Sequence, residues 1–84
     1  MASIEEIIST LQQAVNAVNN AVTTCGVAVQ QTSQMQSQMA AAGVRDKVQQ
    51  LAAVKDAIEK FRAHLGGSNE VANRAINLVK AAGG

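Results

Sequence analysis

Residues 7–44 read IISTLQQAVNAVNNAVTTCGVAVQQTSQMQSQMAAAGV, a run of 38 residues with no charged side chain in which apolar residues return every seven positions. One row is Ile4, Leu11, Val18, Cys25, Thr32 and Met39; a second is Ile8, Val15, Val22 and Val29. A third, Ile7, Ala14, Ala21, Ala28, Met35 and Ala42, is apolar as well. Three adjacent rows at heptad spacing form a stripe wide enough to face more than one neighbouring helix, and the rest of the surface is Gln, Asn, Ser and Thr. The pattern encodes helix association. It contains no pattern that encodes chemistry.

Working outward, Met1-Ala2-Ser3-Ile4-Glu5-Glu6 forms a capping box that starts a first helix at about Ile4, with both carboxylates at the positive end of the helix dipole. At the far end, Ala40-Ala41-Ala42-Gly43-Val44 offers Gly43 as a left-handed cap and Val44 as the residue that folds back over the last turn. The first helix therefore spans about Ile4 to Ala42. Thr23-Thr24-Cys25-Gly26 lowers helix propensity by roughly 1 kcal/mol or more in sum, which makes this the place for a bend. The heptad phase continues through it, from Val22 across Cys25 to Val29, so the reading is one long, curved helix rather than two.

A second helix runs from Arg45 or Asp46 to about Leu65, with Val44, Val48, Leu51, Val54, Ile58, Phe61 and Leu65 on one face. Asp56 with Lys60, Lys55 with Glu59, and Glu59 with Arg62 stand three or four apart on its outer face. Gly66-Gly67 is read as a break, after which Ser68 or Asn69 restarts a third helix over about 69–82 that carries Val71, Ala72, Ala75, Ile76, Leu78 and Val79. At 1.5 Å per residue the first helix measures about 58 Å and the other two about 30 and 21 Å. The lengths match an all-α antiparallel hairpin that turns at Gly43 and has its second arm broken at Gly66-Gly67; the alternative is a three-helix bundle. The expected packing seam joins Ile4, Ile8, Leu11, Val15, Val18, Val22, Cys25 and Val29 to Val48, Leu51, Val54, Ile58 and Phe61. Ala-rich stretches allow the close helix approach that either layout requires.

Composition bounds function. The chain has 84 residues, 15% of them charged, and a single aromatic residue, Phe61. A chain this short buries only about 60% of the surface that its unfolded form exposes, so partner chains that extend the core are expected. Net charge is +1, divided as −2 over residues 1–44 and +3 over residues 45–84. That is too little positive charge for a nucleic-acid footprint. No stretch reads as a cleaved signal or a membrane span, which predicts a chain that is cytoplasmic as synthesised, and export by a route without a cleaved signal would leave the same sequence.

One His, one Cys and six carboxylates are a sparse inventory for an active site, and the expectation is a non-enzymatic protein with no cofactor and no metal. His64, in the last turn of the second helix, reads as a residue facing the negative end of that helix's dipole. Cys25 falls within an apolar row and reads as a small buried hydrophobe, with no basic residue within a helical turn to activate it. The neutral amides, Gln12-Gln13, Asn16, Asn19-Asn20 and Gln30-Gln31, are more unusual, because exposed helix faces normally carry Lys and Glu. Amides can hydrogen-bond across a helix interface without the desolvation cost of charge, so this face is expected to pack against another helix.

A charge-poor helical hairpin of under 100 residues that turns on Gly43 resembles the WXG-type small proteins of type VII secretion and the short helical proteins of actinobacteria related to them. Gly43 matches the turn glycine of that family; Ala41 stands where its tryptophan would be, and the chain has no Tyr for the family's C-terminal export signal. The resemblance implies a dimeric helical bundle acting as a secretion substrate or adaptor. From the residues themselves the expected partner is another copy or a helical protein, with a self-polymerising subunit as the alternative. Membrane-surface binding is disfavoured by the lack of Lys and Arg along the first helix.

Overall fold

The structure, a computed structural model, describes residues 3–83. The described residues form two helices, α1 (Ile4–Ala41) and α2 (Arg45–Gly83). They lie side by side as an antiparallel hairpin with principal extents of 62 × 16 × 14 Å. The Cα radius of gyration is 19.0 Å, against about 12 Å for a compact domain of this length. The hairpin is thus a rod one helix pair thick.

The Ser3 hydroxyl caps α1 by accepting from the Glu6 amide at 3.1 Å. The helix then runs without a break through Thr23-Thr24-Cys25-Gly26. Thr23 and Thr24 donate their hydroxyls to the carbonyls of Asn19 and Asn20, at 3.2 and 2.9 Å, the back-bonding that bends helices rather than ending them.

At the other end the chain closes as read from the sequence. Gly43 has φ 76°, the Gly43 amide donates to the Ala40 carbonyl at 3.1 Å, and the Val44 amide donates to the Met39 carbonyl at 2.9 Å. This pair of bonds is a Schellman motif, and it satisfies carbonyls that the helix end would leave open. A side chain at position 43 has open space but meets backbone strain. Gly43→Ala is therefore expected to destabilise the hairpin by about 1 kcal/mol, read as a lower urea midpoint with an unchanged slope.

The expected break at Gly66-Gly67 is not present: α2 is continuous from Arg45 to Gly83, and the separate third helix and the three-helix bundle do not form. Two helical glycines cost roughly 2 kcal/mol relative to alanine, but unwinding there would detach every seam residue that follows. Neither glycine has a neighbouring atom within 4 Å of where its Cβ would lie, so both sit on the outer surface and leave the packing intact. The Ser68 hydroxyl bridges the site by donating to the His64 carbonyl at 3.1 Å.

The α1 half of the seam is Ile8, Leu11, Val15, Val18, Val22, Cys25, Val29, Thr32, Gln36 and Met39, all buried or half-buried and spaced alternately three and four apart. Ile4, in the same row, is 37% exposed at the open end, where its side chain lies against Gly83. On α2 the same spacing selects Val48, Leu51, Lys55, Ile58, Arg62, Leu65, Asn69, Ala72, Ile76 and Val79. Val54 and Phe61, expected in the seam, are instead 46% and 57% exposed, and Lys55 and Arg62 hold the inward places next to them. The reason is spacing: a seam that alternates three and four from Val48 and Leu51 passes through Lys55 and Arg62, and the apolar residues Val54 and Phe61 stand one position to its side.

Candidate helix-docking surface

Polar residues within the seam fix how the arms align. The Asn69 side-chain amide donates to Asn19 Oδ1 across the hairpin, and the Gln36 amide donates to the Val48 carbonyl at 3.3 Å. Arg62 lies over Gly26, where an added Cβ would stand 3.5 Å from its guanidinium. Arg62 is held on its own helix by Glu59 at 3.7 Å, and Lys60 pairs with Asp56 at 3.0 Å; of the expected pairs, Lys55 with Glu59 is not among these. Asn69 Oδ1 is buried without a hydrogen-bond partner. A polar residue within a helix seam specifies register at a cost in stability. Asn69→Leu is accordingly expected to raise stability by about 1 kcal/mol in urea unfolding.

Asn19 faces Asn69 and Gly26 faces Arg62, one heptad along each arm. The same register sets Ala14, Ala28 and Met35 within one residue of level with Ala75, Phe61 and Val54. Met35 and Val54 line one groove of about 350 Å³, together with Met39, Lys47, Gln50 and Leu51. The two flanks of the hairpin therefore differ. One carries Ile7, Met35, Val54 and Phe61, which are 39 to 57% exposed, and Val71 and Leu78, at 59% and 73%, lie beside it on the outer face of α2. The other is polar, with a groove of about 470 Å³ lined mostly by Gln12, Asn16, Asn73, Asn77 and Lys80.

Several sequence readings change accordingly. One amide expected to meet another helix, Asn19, is used within the chain, as is Gln36, while Gln12-Gln13, Asn16, Asn20 and Gln30-Gln31 remain exposed. Cys25 is buried, as its apolar row implied. His64 is not in a last helical turn, because α2 continues for 19 residues beyond it; it lies on the apolar flank between Phe61 and Val71. Among the described residues no group of three or more His, Cys, Asp or Glu converges as metal ligands would, and no helix is long and apolar enough to cross a membrane.

The flank is large relative to what the hairpin buries. Among the described residues only Cys25 and Ile76 are buried, at 8% and 6% exposure. The chain exposes 6063 Å², about 1,300 Å² more than a typical monomeric protein of its 8.7 kDa mass. Comparisons with protein families, with curated proteins and with solved structures find no match to the chain.

Proposed function

We propose that this chain is a non-enzymatic helical interaction module, working as an assembly or adaptor protein by packing the apolar flank of its hairpin against helices of another chain. The observation that carries the proposal is the set of exposed large hydrophobic residues, Phe61, Val71 and Leu78 foremost, on the flank and adjoining outer face of α2, in a rod of whose described residues only two are buried. An exposed apolar surface of this extent on a rigid element is characteristic of helix recognition. The helical-hairpin outline and the glycine turn also support the secretion-substrate or adaptor role that the type VII resemblance implies. A self-polymerising subunit needs two complementary surfaces, and the polar character of the other flank argues against one.

The test is the double substitution Val71→Asp with Leu78→Asp. Two solvated surface changes would each shift stability by no more than about 0.5 kcal/mol. If the flank packs against helices, the variant instead loses association, and its thermal midpoint falls and no longer depends on protein concentration. A variant with wild-type midpoint and mass would refute the docking role of the flank.

A further inference from the structure

Apart from the helix docking proposed above, we infer that the groove at the turn end of the apolar flank is a binding site for a straight-chain carboxylate, a free fatty-acid anion. The groove lies between the two arms and has a volume of about 350 Å³, within the range of small-molecule sites. Met39 and Leu51, half-buried in the seam, form its floor. Met35 and Val54, 49% and 46% exposed, form its walls, and Lys47 and Gln50 stand exposed on its rim.

The lining selects the apolar part of the ligand. Two of its side chains are unbranched, polarisable thioethers, which adapt to a chain of no fixed shape. Among the described residues no aromatic ring lines the groove, so a planar or sugar ligand has no surface to stack on. Lys47 and Val54 are two helical turns apart, about 10 Å, the reach of a chain of roughly eight carbons. Beyond Val54 the flank continues to Phe61 and Ala28, which gives a longer chain apolar surface to follow.

Charge selects the headgroup. Among the described residues Lys47 is the one charged group lining the groove, and it forms no ion pair. Its ammonium donates to Gln50 Oε1 at 3.4 Å, a long bond to a neutral acceptor. The Gln50 Nε2 donor makes no hydrogen bond among the described residues. A carboxylate between the two accepts from both, and one of these bonds is charge-assisted. A single cation balances a monoanion, whereas a doubly charged phosphate would keep one charge uncompensated.

The test is a titration of octanoate and butanoate into the chain isotope-labelled at its methionine methyl groups and followed by NMR. The Met35 and Met39 methyl signals are expected to move saturably with octanoate, and each methylene added from butanoate upward is expected to tighten binding about threefold. Lys47→Glu is expected to weaken octanoate at least about tenfold while binding of uncharged octanol stays the same. This variant keeps its helicity, because Lys47 is exposed and a carboxylate suits the first turn of α2. Equal octanoate affinity in the two proteins would overturn the headgroup position, and methyl signals that do not move would overturn the site. The Val71→Asp and Leu78→Asp variant is expected to bind octanoate like the unmodified chain, since neither residue lines the groove. Ligand binding and association are thus read separately, and the failure of one leaves the other standing.

Discussion

Replacing Ile76 by Asp is expected to unfold the hairpin, whereas replacing Leu78 by Asp, two residues further on, is expected to leave it helical. Ile76 is 6% exposed and is one of two buried residues among those described; Leu78 is 73% exposed on the outer face of α2. A carboxylate at position 76 would lie where Ile76 is buried, and although Lys80 lines the same groove one turn on, taking a charge out of water there costs about 4 kcal/mol. That approaches the whole stability of a chain of this length, roughly 4 to 12 kcal/mol on average per-residue values. Helicity by circular dichroism checks the pair. An Ile76→Asp chain as helical and as resistant to urea as the wild type would mean that the seam is not where the hairpin is held together. Val18→Asp, in the α1 half of the same seam, is expected to act in the same direction.

Gly66→Ala combined with Gly67→Ala is expected to stabilise the protein by about 2 kcal/mol, the reverse of what substitution would do at a turn. Both glycines are helical, neither has positive φ, and a methyl group at either position meets nothing. The gain arises because alanine loses less backbone entropy than glycine on entering a helix. A rise in the urea midpoint without a change in slope would bear this out. A fall in stability would show that the chain does need a break at this point. Gly43, with φ 76°, should respond in the opposite sense to the same substitution.

These two expectations also mark how far the sequence could be read. The hairpin, its Ser3 start and its Gly43 turn were all legible, because caps and turns are local and the residues that form them act on atoms a few positions away. The course of α2 was not legible. A glycine pair has a clear local cost, but what opposes it is the seam on either side of it, Arg62 and Leu65 before, Asn69 and Ala72 after, and that opposition is a property of the whole arm. The places of Val54 and Phe61 were misread for a related reason. Following hydrophobicity selects the apolar neighbour at each turn, whereas following strict three-four spacing from Val48 leads to Lys55, Arg62 and Asn69, which composition alone would put outside. Long side chains can hold such places by laying their aliphatic stems along the seam.

The misreading has a functional consequence. Val54 and Phe61 counted as core would leave α2 with little to offer a partner. Placed beside Val71 and Leu78, which stand on the adjoining outer face, they give α2 an apolar strip along much of its length. The wide apolar stripe visible in the sequence therefore divides into a seam that makes the hairpin and a flank that remains after the hairpin has formed.

The most direct test of that division is the mass of the unmodified protein in solution, measured by light scattering behind a sizing column over a wide range of concentrations. Scattering is needed because a rod 62 Å long elutes ahead of a compact protein of equal mass. The docking flank predicts an assembled species, at twice the 8.7 kDa chain if the partner is a second copy. A single chain at every concentration, with a thermal midpoint that ignores both concentration and the Val71→Asp and Leu78→Asp changes, would contradict it.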